Sequence, residues 1–185
     1  MLFMRQRNTP KKNGIMQRIQ VVSITIPAGQ TSATATITAV TTANTWLHYR
    51  GQYCSADIST PNKVLARAEL TDSTTVTLSR NTSDSTGAIT ASVTVKEFIS
   101  GPISQMQRGT ISISDTAANQ TATVTSSSAT LSELAYLGAT CAYSADGVLD
   151  SVLAHLTQNS ATQIQATRTD RKSTRLNSSH RCLSR

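Results

Sequence analysis

Apolar residues recur at every second position over much of this chain, the spacing of strands with one dry face and one wet face. Val22, Ile24 and Ile26 share a face ahead of a turn at Pro27-Ala28-Gly29-Gln30, and Ala33, Ala35, Ile37 and Ala39 line the next such face with Thr34, Thr36 and Thr38 opposite. Residues 45–50 make a third strand, and a long loop through Gly51, Asp57 and Pro61 leads to an alternating run over residues 64–70. Residues 74–78 and 89–95 form a last pair across the turn between Asn81 and Gly87. Six short, half-polar strands cannot be satisfied in one open sheet, so the pattern predicts a small antiparallel β-sandwich.

The pattern then repeats. Thr34-Ala35-Thr36-Ile37-Thr38 returns 87 residues later as Thr121-Ala122-Thr123-Val124-Thr125. At the same offset Ile24 and Ile26 meet Ile111 and Ile113, and Leu47, Tyr49, Gly51 and Cys54 meet Leu134, Tyr136, Gly138 and Cys141. Met16-Gln17-Arg18 is echoed by Met106-Gln107-Arg108, just past a strand-breaking Gly101-Pro102. A period carried by strand-like segments marks one folding unit used twice. The expected fold is therefore all-β: two tandem small antiparallel β-sandwiches over residues 16–100 and 101–168. Residues 152–157 match residues 66–71 with a small register shift, and after Arg168 the match stops. The second sandwich is thus expected to be truncated, without its closing strand, and marginal for that reason.

The ends differ from the body. Residues 1–15 are polar, basic and rich in breakers, and read as a disordered leader. The tail Asp170-Arg171-Lys172-Ser173-Thr174-Arg175-Leu176-Asn177-Ser178-Ser179-His180 resembles translated sequencing-adapter read-through, as met in reading frames assembled from environmental (metagenomic) DNA. That resemblance implies that residues 169–185 are a disordered, non-native tail and that the natural chain continues past Arg168.

Charge follows the same division. The chain carries +7, but residues 1–18 hold +5, residues 170–185 hold +4, and the body between them holds −2. The body thus lacks the basic stripe, and with aromatics at 4% also the stacking platforms, of a nucleic-acid binder. Ser and Thr make up roughly three residues in ten, which keeps the wet strand faces soluble with little charge.

Reactive groupings are sparse. His48, His155 and His180 are scattered, no Cys-x-x-Cys occurs, and neither a metal nor another cofactor is expected. Cys54 and Cys141 hold equivalent places, so each is expected to pack within its own unit; Cys182 lies in the tail. Asp57, Asp146 and Asp150 read as loop formers rather than an acid and base pair, and no Gly-x-Ser-x-Gly or phosphate-cradling loop is present. The expectation is that the chain is not an enzyme. No apolar run approaches a membrane span and Met1-Leu2-Phe3-Met4 is too short for a signal segment, so synthesis in a cytoplasm without membrane insertion is expected.

The third strand offers the one candidate contact site. Leu47 and Tyr49 recur in the second copy and are expected to face inward, which turns Trp46, His48 and Arg50 outward. An outward Trp, His and Arg could stack on a sugar ring and hydrogen-bond its hydroxyls, or anchor a subunit contact. The plainer reading is that a neighbouring loop or unit covers Trp46 and His48 is merely solvated.

The order of segments Arg18-Ile19-Gln20, the Ala/Thr-rich strand, Leu65-Ala66-Arg67-Ala68-Glu69-Leu70-Thr71, Thr74-Thr75-Val76-Thr77-Leu78-Ser79-Arg80 and Val93-Thr94-Val95-Lys96-Glu97-Phe98 resembles the repeats of bacteriophage virion and tail-associated proteins over residues 16–168. Those repeats are similar in layout to H-type lectin domains, six-stranded sandwiches that assemble as trimers and bind sugars at the rim. The lectin family places an aromatic in the closing strand where this chain has Val93 and Val95, and no sugar-contacting residue is carried over. The resemblance implies a virion structural protein, of capsid-decoration or tail type, made in the host cytoplasm. Its implied partners are other virion proteins and further copies of itself, a trimer in the lectin arrangement. The alternatives are a lectin-like receptor-recognition module that binds cell-surface glycans, or a bacterial surface adhesin.

Overall fold

The computed structural model describes residues 16–55, 60–99, 106–113, 119–123, 137–141 and 154–168. The leader, the linker at Gly101-Pro102, the residues Asp57, Val124, Leu134, Tyr136, Asp146 and Asp150, and the tail 169–185 lie outside those described residues. The chain divides into two compact units, Met1–Gln107 with Ala135–Asp146, and Arg108–Leu134 with Gly147–Arg185.

The first unit is all-β and sandwich-like. One antiparallel sheet has β6 (Ile89–Phe98) at its centre, flanked by β1 (Met16–Ile26) and β3 (Thr45–Cys54). The other has β5 (Thr75–Arg80) at its centre, flanked by β2 (Ser32–Thr36) and β4 (Ala66–Leu70). Ile24 and Ile26 from β1, Leu47 from β3, Ala66 and Ala68 from β4, Val76 and Leu78 from β5, and Ile89, Val93 and Val95 from β6 form one buried cluster between the sheets. Alternation therefore does the sorting: in β5, Val76 and Leu78 are fully buried while Thr75 and Thr77 are only half-buried.

Three expectations are corrected in detail. The second strand ends at Thr36, so Ala39 is exposed and Val40 takes the buried place instead. The chain leaves the sheet there because Ile37 and Val40 donate to Thr74 O (2.7 Å) and Ser73 O (2.9 Å), and the buried carboxamide of Gln20 brackets Thr38. Gly51 is not in a loop; β3 runs on to Cys54 through a bulge between Tyr49 and Gly51. Residues 61–64 form a helical turn with Pro61 at its start, α1 (Pro61–Val64), and the fourth strand begins only at Ala66.

Among the described residues the second unit contains one three-stranded antiparallel sheet, with β9 (Gln163–Arg168) between β7 (Asn119–Thr123) and β8 (Ala154–Ser160). Its pairing copies that of β2, β5 and β4. Ala122 faces Ile164 as Ala35 faces Val76, and Gln120 faces Ala166 as Ala33 faces Leu78. Ala154 faces Arg168 as Ala66 faces Arg80, two residues away from the alignment of 152–157 with 66–71. Ile111 and Ile113, the counterparts of Ile24 and Ile26, are half-buried outside any strand.

Candidate functional site

The outward face of the β1-β6-β3 sheet carries the candidate residues. Backbone pairing sets Trp46 beside Lys96 and Lys96 beside Ile19, and in the next row His48 beside Thr94 and Thr94 beside Val21. Trp46 is half-buried and His48 exposed. Tyr49 pairs with Val93 and Gly51 with Ser92, which leaves Arg50 as the extra, exposed residue of the bulge, with Gly51 at φ +131°. The structure thus puts Trp46 and His48 in one file and Arg50 at its kinked end. Beyond the kink the alternation resumes, and Tyr53 points outward, 63% exposed.

Three further members of this face were not singled out from sequence: Ile19 (52% exposed) in β1, Lys96 in β6, and Tyr53 farther along β3 itself. The available signal was in the first strand. Ile19, Gln20 and Val21 run apolar, polar, apolar against the phase of Val22, Ile24 and Ile26, so the buried Gln20 sends two aliphatic side chains to the outside.

Inside the bulge, Gln52 turns inward. Its Oε1 accepts from Tyr49 OH (2.5 Å) and from Ala66 N–H (3.1 Å), and its Nε2 donates to Val64 O (2.5 Å), tying β3 to the start of β4. The bulge is therefore held from behind, and Arg50 is presented by a fixed backbone.

A second polar cluster sits under the loops at one end of the first unit. The Arg80 side chain, 3% exposed, donates to four carbonyl oxygens: Gln30 (2.8 Å), Lys63 (3.2 Å), Gly87 (3.1 Å) and Pro27 (3.1 Å). Asp84 accepts from Thr86 N–H, Gly87 N–H and the Thr86 hydroxyl, each at 2.8 Å, and pairs with Lys63 at 3.2 Å. The backbone N–H groups of Thr86 and Gly87 hold its carboxyl well below the usual carboxylate range. Each of the three guanidinium nitrogens donates to backbone carbonyls, so the cluster fastens loops together.

At the opposite end, Glu97 is 3% exposed; its Oε1 accepts from Thr41 N–H (2.7 Å), and its Oε2 is buried without a hydrogen bond. Cys54 and Cys141 form no disulfide; Cys54 packs on the first core, while Cys141 falls within the first compact unit rather than the second. His155 is exposed on β8. Among the described residues no group of His, Cys, Asp or Glu is placed to hold a metal, and no helix is long and apolar enough to cross a membrane.

No protein-family model matches the chain, and no curated protein or solved structure matches it.

Proposed function

We propose that this chain is a non-enzymatic structural module of a virus particle, a capsid-decoration or tail-associated protein that works by subunit contact and display. The observation that carries the reading is the outward face of the β1-β6-β3 sheet. Ile19, Val21, Trp46 and Tyr53 place aliphatic and aromatic surface around Lys96, Thr94 and His48, the mixture of apolar anchors and polar neighbours that a subunit contact uses. The duplicated sheet, paired in the same register, supports it as well, because a repeated rigid unit suits presentation along a surface.

The test is fractionation. A particle fraction banded from the sample that yielded the sequence, probed with antibody raised against the purified full chain, is expected to contain it. Detection only in the particle-free soluble fraction overturns the reading. Full chain bearing Trp46→Glu is expected to lose binding to those particles.

A second reading is favoured by one observation: Trp46 stays half-buried beside the exposed His48, with Arg50 at the end of the file, leaving an aromatic edge next to hydrogen-bonding groups. On that reading the face holds a cell-surface glycan by stacking and hydrogen bonds. A glycan array decides it, through hits that are present for the wild type and absent for Trp46→Ala.

A further inference from the structure

Charge is sorted between the faces of the first unit. Its described carboxylates are Glu69, Asp72, Asp84 and Glu97, and none of them lies on the outward face of the β1-β6-β3 sheet. Each is already engaged. Glu69 pairs with Arg67 at 3.4 Å, Asp72 accepts from the Thr74 N–H and hydroxyl, Asp84 pairs with Lys63 at 3.2 Å, and Glu97 is buried against Thr41 N–H.

The cations divide the other way. Lys63 and Arg67 are taken by those carboxylates, Arg80 by four carbonyl oxygens and Arg18 by Ala39 O. That leaves Arg50 and Lys96, both at the outward face, whose side chains make no hydrogen bond or ion pair among the described residues. Lys96 stands between Ile19 and Trp46 in one row of the sheet, and Arg50 is held exposed by the bulge that Gln52 braces from behind. Two unmet positive charges on a face that carries no described acid are the complement of an anion.

We infer, on the glycan reading of this face, that its ligand is an acidic polysaccharide, whose rings stack on Trp46 while its carboxylates or sulfates meet Lys96 and Arg50. The spacing of the two cations favours that class. Trp46 is level with Lys96, and Arg50 lies four residues farther along β3, about 13 Å at about 3.3 Å per residue. Phosphates recur about every 3.4 Å along one strand of a duplex, so a nucleic acid would leave most of its charge unmet here. An acidic polysaccharide spaces its charges by whole sugar rings, and His48 and Ser92, between the two cations, can hydrogen-bond the neutral hydroxyls. A second copy of the first unit is the weaker complement, because its described carboxylates are the four already engaged.

The test is calorimetric titration of the full chain with polygalacturonate, heparin, neutral dextran, and polygalacturonate whose carboxyls have been reduced to hydroxyls. An acidic polymer is expected to bind, more weakly as salt is raised, and the two neutral polymers are expected not to. Lys96→Gln and Arg50→Gln should each weaken that binding about tenfold, the factor that one lost charge-assisted hydrogen bond carries, with urea midpoints showing both variants folded. Lys11→Gln together with Lys12→Gln, in the basic leader, should leave it unchanged. Equal binding of the reduced polymer overturns the inference while the glycan reading stands; no binding to any of the polysaccharides overturns it as well, and the glycan array then decides that reading on its own. Binding as strong to polyglutamate or to single-stranded DNA, or binding that is lost with the leader substitutions and kept in Lys96→Gln, shows charge attraction alone and overturns it too.

Discussion

Gly51 and Gly138 stand at the same place in the two copies, and both take a positive φ, +131° and +93°. Their surroundings differ. A Cβ on Gly51 would meet nothing within 4 Å, whereas one on Gly138 would strike the backbone of Ala66 and Arg67. The same position is a bulge residue in one copy and a close backbone approach to β4 in the other.

Gly51→Ala should therefore cost only the strain of an L-residue at that φ, about 1–3 kcal/mol. Urea unfolding of the full chain measures it. A loss well above that range would mean that the bulge also depends on packing that the open space around Gly51 does not show.

Arg80→Ala should be far more damaging. It strands the carbonyls of Pro27, Gln30, Lys63 and Gly87, which join the β1–β2 turn, α1 and the β5–β6 loop. A hydrogen bond from a charged donor contributes about 1.5–3 kcal/mol, and with partial compensation by water the total loss should be about 3–5 kcal/mol. Arg80→Lys should recover little, since one ammonium cannot reach four acceptors set around a planar fork. Thermal and urea melts of both variants check this.

The Asp84 carboxyl is held below its ordinary value of 3.8 by the backbone N–H groups of Thr86 and Gly87, the Thr86 hydroxyl and Lys63. Its folded value is thus depressed relative to the unfolded chain. The stability it contributes is present above about pH 4 and is lost as the pH falls through the folded value. Asp72, capped by Thr74 and Thr75, has the same sign. Urea midpoints of the wild type should fall steeply between pH 4 and pH 2, about two units around the onset of protonation. The Asp84→Asn chain should start lower at pH 7 and show a shallower fall, with Asp72 supplying the remainder.

The alternation of apolar residues was enough to locate all six strands of the first unit, because a period of two is imposed by the pleat itself. It could not detect the two-residue slip that sets Ala154, rather than Val152, at the place of Ala66, since an even shift leaves every side chain on the same face. The outward direction of Trp46 and His48 was legible for the same reason. Their neighbours Ile19 and Lys96 were not, because strand order rather than spacing brings β1 and β6 beside β3. Nor was the placement of Leu137 and Gly138 against β4, where the repeat points to a different partner but Ala68 N–H bonds to Leu137 O and Arg67 bridges Gly138.

Gln20 shows how a polar residue in an apolar slot can shape the sheet. It is 6% exposed, and its carboxamide both accepts from Thr38 N–H (2.7 Å) and donates to Thr38 O (2.9 Å), standing in for a strand partner at Thr38 once β2 has ended. Arg18 adds a bond to Ala39 O, and Glu97 one to Thr41 N–H. Gln20→Leu keeps the volume but leaves both Thr38 groups without that partner, so it should cost about 1–3 kcal/mol. Gln20→Glu preserves the acceptor but sets a second oxygen against Thr38 O, and should be at least as damaging. Amide exchange locates the effect: the Thr38 and Val40 amides should lose protection in both variants, while Val76 and Val93 in the core keep theirs until global unfolding. Uniform loss of protection across both sheets would instead show that Gln20 supports the whole core rather than this one loop.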